Sequence, residues 1–277
     1  MQIWLPFSPL RGEKGWRRAV ADDLGSVWSI GDPLGSVKRD SRPALPKRFY
    51  REAGVEAGEG AFALVLDGRG AKTPGKRALA LPTQALAEQI ALEWAGQGEF
   101  IDPRQMPLTR LANSAIDAVA EAMPATRADM AAYAASDLLC YRAEAPEALV
   151  ALQAAAHDRV LDWACETLGA ELVVTQGVTH IPQPEPALAA IRAALEAFAD
   201  PFALAALHVM TTLTGSALLA LAVARSHLAR DEAWRAAHVD EDFQIAQWGE
   251  DDEAMLRRAA RWSEMRAAAQ MLRLSRL

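Results

Sequence analysis

Little in this chain is equipped for covalent chemistry. Its 277 residues include two cysteines, Cys140 and Cys165, too few for a disulfide framework or a cysteine zinc site. Both sit in apolar helical contexts and read as small core residues of a protein from a reducing compartment. The five histidines, His157, His180, His208, His227 and His238, include no i, i+4 pair. G-x-S-x-G, H-E-x-x-H, C-x-x-C and a complete P-loop are all missing. Gly68-Arg69-Gly70-Ala71-Lys72-Thr73 lacks the glycine before the lysine, and no helix signal follows, so it reads as a hairpin. His238 and Glu241 lie one helical turn apart, which alone is weak evidence for acid–base catalysis. No metal or other cofactor is expected. The formal net charge of -7 argues against broad nucleic-acid binding. The start, MQIWLPFSPLRGEKGWRR, has no continuous apolar run before a small-residue cleavage site. Asp22, Asp23 and Asp32 follow it and oppose a transit peptide, so a bacterial cytoplasmic location is expected, or the mitochondrial matrix if the source is eukaryotic.

What is abundant is alanine and leucine, with few β-branched runs and only 6% aromatics, a composition for helices. Residues 1–46 are rich in Gly, Pro and Ser without periodicity and read as an irregular arm. Residues 47–82 read as a small β domain. Its expected strands are 48–52, 62–67 and 78–81, with turns at Asp67-Gly68 and Pro74-Gly75. Residues 83–277 read as a larger all-helical domain, with Thr83 capping its first helix. The fold class expected is therefore α+β, a small antiparallel sheet followed by helices. Further helices are expected over 108–123, 125–142, 146–168 and 186–198, with a short strand within 172–184. Residues 201–224 contain no Asp, Glu, Lys or Arg. That length suits a membrane span, but abundant alanine and four hydroxyl residues from Thr211 to Ser216 favour a buried helix, or two helices meeting near Gly215.

The densest signal is DEAWRAAHVDEDFQIAQWGEDDE, residues 231–253, with nine acidic residues, one arginine, two tryptophans and a phenylalanine. As one helix it would carry two apolar stripes: Trp234, Ala237, Ile245 and Trp248 on one side, Ala236, Val239, Phe243 and Ala246 on the other. Glu241 falls inside the tryptophan stripe, where an ionised carboxylate is costly unless paired. That placement makes Glu241 structural and Asp240 the exposed acid. Such a helix would have a core behind it and a partner in front; the plainer reading is a core helix with solvated acidic edges. Two polar blocks compete for attention. Thr109, Arg110, Asn113 and Asp117 lie at helical spacing, and Asp137 and Arg142 follow in SDLLCYR. They form either a ligand site or a buried polar lock between helices.

Five blocks in colinear order carry a family resemblance: LDGRGAKTP (66–74), LPT (81–83), MPLTRLANSAID (106–117), SDLLCYRA (136–143) and DFQIAQWG (242–249). From about Lys47 onward the chain resembles the assembly chaperones of the F-type ATP synthase catalytic head, the ATP-twelve type that attends the alpha subunit. The resemblance implies a small β domain before a helical domain, with no enzyme activity. It implies binding of unassembled alpha subunits, protection from aggregation and release as the alpha–beta hexamer forms. It also implies a functional acidic residue just before Phe243-Gln244, which Asp240, Glu241 or Asp242 would supply. The expected client-binding set is Asp240, Glu241, Asp242, Phe243, Gln244 and Trp248, on a monomer with no stable membrane insertion. The rival expectation is a small-molecule-binding protein or enzyme built on Arg110, Asp137 and Arg142. A third is a membrane-attached factor built on residues 201–224.

Overall fold

A computed structural model describes residues 45–276. The irregular arm read for residues 1–46 lies outside them, save its last two residues. The sheet comes first: β1 (Ala53–Ala57), β2 (Phe62–Leu66), β3 (Arg69–Gly70) and β4 (Ala80–Leu81). All pairings are antiparallel, with β2 between β1 on one side and β3 and β4 on the other. The Asp67-Gly68 turn has both residues at positive φ, 47° and 75°, the conformation a two-residue hairpin requires. The strand expected over 48–52 is displaced to Ala53–Ala57. Residues before it are held by other bonds: the Asp67 carboxylate accepts from the backbone of Arg51 and Glu52, and the Tyr50 hydroxyl donates to the Trp94 carbonyl.

Helix α1 (Gln84–Ala95) follows, N-capped by Thr83, whose hydroxyl oxygen accepts from Leu86 N at 3.2 Å. Leu64, Leu79 and Leu81 of the sheet region share a core with Leu86 and Ile90 of α1, all fully buried. Each such side chain contributes about 1.5–3 kcal/mol, which supports a sheet too small to stand alone. Next come α2 (Pro107–Asp117) and α3 (Met123–Ala134). The helix expected over 125–142 stops at Ala134. Asp137 caps a single 3-10 turn, Leu138–Cys140, and the chain extends into β5 (Tyr141–Arg142). Helix α4 (Glu147–Trp163) runs into a π turn, Ala164–Leu168, where Cys165 is exposed; only Cys140 is buried, against the core reading for both. The short strand β6 (Thr175–Gln176) pairs in parallel with β5. Then follow α5 (Glu185–Glu196), α6 (Pro201–Thr214), α7 (Ala217–Ala224), α8 (Arg230–Ala237), α9 (Val239–Trp248) and α10 (Asp252–Leu274).

The apolar run 201–224 is the centre of the helical core. Gly215, at φ 69°, ends α6, and Ser216 caps α7 through its bond from Leu219 N. Ten consecutive residues from Phe202 to Thr211 are buried, beneath α10, α2 and α3. Among the described residues no helix is long and apolar enough to cross a membrane.

Besides the shared core, one carboxylate ties the sheet region to α2. Asp117, at the end of α2, accepts from the Thr73 hydroxyl at 2.7 Å and Gly75 N at 2.8 Å. Arg77 donates to the Ile116 carbonyl at 2.6 Å, placing a cation at the negative end of α2. A Cβ at Gly75 would lie 2.6 Å from an Asp117 oxygen. Gly75→Ala should therefore lose about 1–3 kcal/mol in urea unfolding. Gly70→Ala, where a Cβ meets nothing within 4 Å, should be close to neutral.

Candidate functional site

The acidic segment is two helices, not one. Trp234 in α8 is buried, with its ring centroid 3.8 Å from His238 and 5.2 Å from Trp262. The His238 ring bonds the Trp234 carbonyl through Nδ1 at 2.7 Å. Burial pushes the His238 pKa below the usual imidazole range, which favours a neutral ring with its proton on Nδ1. His157 reaches the Ala236 carbonyl through Nε2 at 2.8 Å. These bonds to the last carbonyls of α8 stop it at Ala237, and the chain restarts as α9. The single helix with two stripes read from the sequence is therefore broken at His238, and Trp234 and Trp248 belong to different helices. Trp234 is core. Trp248 is 79% exposed.

Helix α9 has no fully buried residue. Its first turn carries Asp240, Glu241 and Asp242, favoured there by the helix dipole. Their surroundings differ. Asp240 accepts from Gln153 Nε2 at 2.7 Å, and that glutamine is buried. Asp242 pairs with Arg258 Nη2 at 2.5 Å. Glu241 is exposed and makes no hydrogen bond or ion pair among the described residues. Its field reaches the His238 ring, where it raises the pKa against burial. Asp240 is exposed, as read from the sequence, but tethered; Glu241, read as structural, is exposed too and is the untethered acid. Phe243 is half-buried, Gln244 exposed, and Leu256 in α10 is 72% exposed. The helix so presents a free carboxylate, a bare indole and further apolar side chains to solvent.

The second set of polar residues is placed at separate joints. Thr109, with Leu108, caps α2 against Glu93: both Glu93 oxygens accept backbone N–H bonds at 2.8 Å, and the Thr109 hydroxyl donates at 2.7 Å. Burial raises the Glu93 pKa, opposed by those bonds and by Arg110. Arg110 pairs with Glu264 of α10, tying α2 to it. Asn113 Oδ1 is shielded and has no hydrogen-bond partner among the described residues. Asp117 serves the sheet junction. Asp137 is fully buried; its two oxygens accept from Leu139 N at 3.1 Å and Leu218 N at 3.2 Å. Arg142 donates to the Leu139 carbonyl at 3.0 Å and pairs with Asp158 at 2.7 Å. Sequence reasoning missed Glu93, Gln153, Asp158 and Glu264. Each is an ordinary polar residue on a helix whose partner is remote in sequence, and no local pattern marks it.

The match to known proteins follows this architecture. Residues 47–165 match the family model described as ATP12 chaperone protein. The crystal structure of Atp12 from Paracoccus denitrificans shares 44% identity and a TM-score of 0.77, covering 83% of this chain and 98% of that one. The chain belongs to the ATP12 chaperone family. A second Paracoccus structure, an aspartate-to-lysine mutant of the same protein, matches with the same identity, coverage and TM-score. The Agrobacterium tumefaciens protein Atu1473, a candidate chaperone, shares 46% identity at a TM-score of 0.81, over 93% of this chain and 96% of that one. The sheet-then-helices order of this ATP12-family chain extends to α8, α9 and α10, beyond the segment matched by the family model.

Proposed function

We propose that the chain holds the unassembled alpha subunit of F-type ATP synthase, keeps it from aggregating, and yields it as the alpha–beta hexamer forms. The observation that carries this reading is α9, a helix with no fully buried residue, displaying a free Glu241 and, about two turns on, an exposed Trp248. An unassembled subunit exposes apolar surface that its neighbour would cover, and such patches aggregate. Trp248 and Phe243 would cover part of that surface, while Glu241 pairs with a client arginine at the rim. Asp240 and Asp242, already bonded within the chain, would set the potential around it. An acid-rimmed contact of this kind gives steering and specificity with modest affinity, so the true neighbour can displace it. The chaperone acts as a monomer in the compartment where the head assembles, the cytoplasm of a bacterium.

The test is co-expression with the cognate alpha and beta subunits and pulldown of this chain. Alpha should be recovered selectively and lost when beta is in excess. Glu241→Lys should weaken alpha capture at least about tenfold, the loss of one charge pair across an interface. Stability should fall by no more than about 2 kcal/mol, the cost of a reversed charge at the start of α9, because Glu241 makes no bond in the fold. Undiminished capture by both Glu241→Lys and Asp240→Lys would sink the assignment of this helix. Recovery of neither subunit by the unsubstituted chain would sink the function itself.

A further inference from the structure

A concavity of about 550 Å³ lies where the end of α7, the start of α8 and the last turns of α10 meet. Val223, Ala224 and Leu272 give it an apolar wall, and Arg230, Arg273 and Arg276 line it from two different helix ends and the chain beyond. Three guanidinium groups around one cavity are unexpected in a chain of net charge -7. Part of their capacity is committed. Arg276 donates to the Ala224 carbonyl at 3.2 Å and lies over the Phe198 ring at 4.5 Å. Arg230 is 3.5 Å from Asp231. Arg273 makes no hydrogen bond or ion pair among the described residues.

The charges do not balance locally. Burial lowers the Arg276 pKa, and Arg225 lowers it further, while Asp200 opposes them. The Asp200 carboxylate already accepts from Ala203 N at 2.8 Å, capping α6. Arg276 thus has Asp200 as its acidic neighbour and Arg230 has Asp231, while Arg273 pairs with no acid among the described residues. A helix dipole accounts for Arg273 in the last turn of α10. It does not account for Arg230, the first residue of α8, where the dipole disfavours a cation. Guanidinium forks lining an open cavity of this size, beside a partly apolar wall, suit a small ligand bearing several anionic oxygens.

We propose that this concavity binds a small organic anion with two or more phosphate or carboxylate groups, its apolar body against Val223, Ala224 and Leu272. Isothermal titration of the full chain at low ionic strength tests it, with pyrophosphate in one arm and citrate in the other. Saturable binding with one site per chain is expected for at least one probe, weakening steeply with added salt. Preference for pyrophosphate assigns a phosphate compound, and preference for citrate a polycarboxylate. Arg273→Gln should weaken binding about tenfold, the loss of one charge-assisted hydrogen bond, with only a small drop in melting temperature from the cation lost at the end of α10. Arg273→Lys should retain part of the affinity, and Arg192→Gln, on α5, all of it. Absence of saturable heat with both probes, or full affinity in Arg273→Gln, overturns the proposal.

Discussion

Replacing Asp137 with alanine is expected to cost about 4 kcal/mol of unfolding free energy, one of the largest losses available to a single substitution in this chain. The carboxylate sits with no exposure where the 3-10 turn Leu138–Cys140 meets the α6–α7 kink. Leu139 N and Leu218 N bond it, and Ala217 N and the Ser216 hydroxyl lie near enough to stabilise its charge. Alanine leaves these donors without an acceptor and out of reach of water. Each orphan costs about 1–3 kcal/mol, offset in part because the native state no longer buries a charge. The pH dependence separates these effects. Burial outweighs the four donors and raises the Asp137 pKa from the ordinary 3.8 to about 6. A raised carboxyl pKa means the folded state binds the proton more tightly than the unfolded chain. The resulting contribution is fully present below about pH 4 and is lost as pH rises to about 6, by about 3 kcal/mol. Asp137→Ala lacks that slope, so its deficit against the parent should be larger at pH 4 than at pH 7. Urea unfolding of both proteins across this range checks it; a deficit independent of pH would mean that Asp137 is ionised throughout.

That residue also shows what a sequence can and cannot disclose. Asp137 stands out as a polar residue in an apolar block, and a lock is a sound expectation. Its partners are the backbone of a helix some eighty residues away, which no local spacing reports. The elements themselves were legible where the local signal is strong. Thr83 after Pro82 marks a cap, Asp67-Gly68 a hairpin, and Gly215 a break in an apolar run. The first strand was misplaced because the adjacent aromatics Phe49 and Tyr50 favour a strand, while residues 48–52 spend their bonds on Asp67 and α1. The acidic segment misled for a similar reason. Its helical periodicity continues through His238 on paper, while the imidazoles of His238 and His157 claim the carbonyls that would carry the helix onward. Tethering decided which acid is free, and tethering depends on Gln153 and Arg258, which lie in other helices.

Breaking the Arg110–Glu264 pair is the second large effect. Arg110 is 13% exposed and Glu264 21%, so neither charge is well hydrated once its partner is gone. Arg110→Ala should cost about 3–5 kcal/mol, most of it from the uncompensated acids and not from a lost attraction. Two carboxylates are involved, because Arg110 also holds down the Glu93 pKa. Without the guanidinium, the Glu93 pKa rises further. The buried charge is then less well compensated, and the cap it provides to Leu108 N and Thr109 N becomes costlier to keep ionised. Glu264→Leu alone should be less costly than Arg110→Ala, since Glu93 remains to face Arg110. The double variant Arg110→Leu/Glu264→Leu should recover part of the loss by apolar packing between α2 and α10, but not all of it, because Glu93 stays unneutralised. A double-mutant cycle in urea should therefore give a coupling of at least about 2 kcal/mol. Strict additivity across the cycle would mean that Arg110 and Glu264 act on the fold independently, and that solvent, not the ion pair, satisfies both.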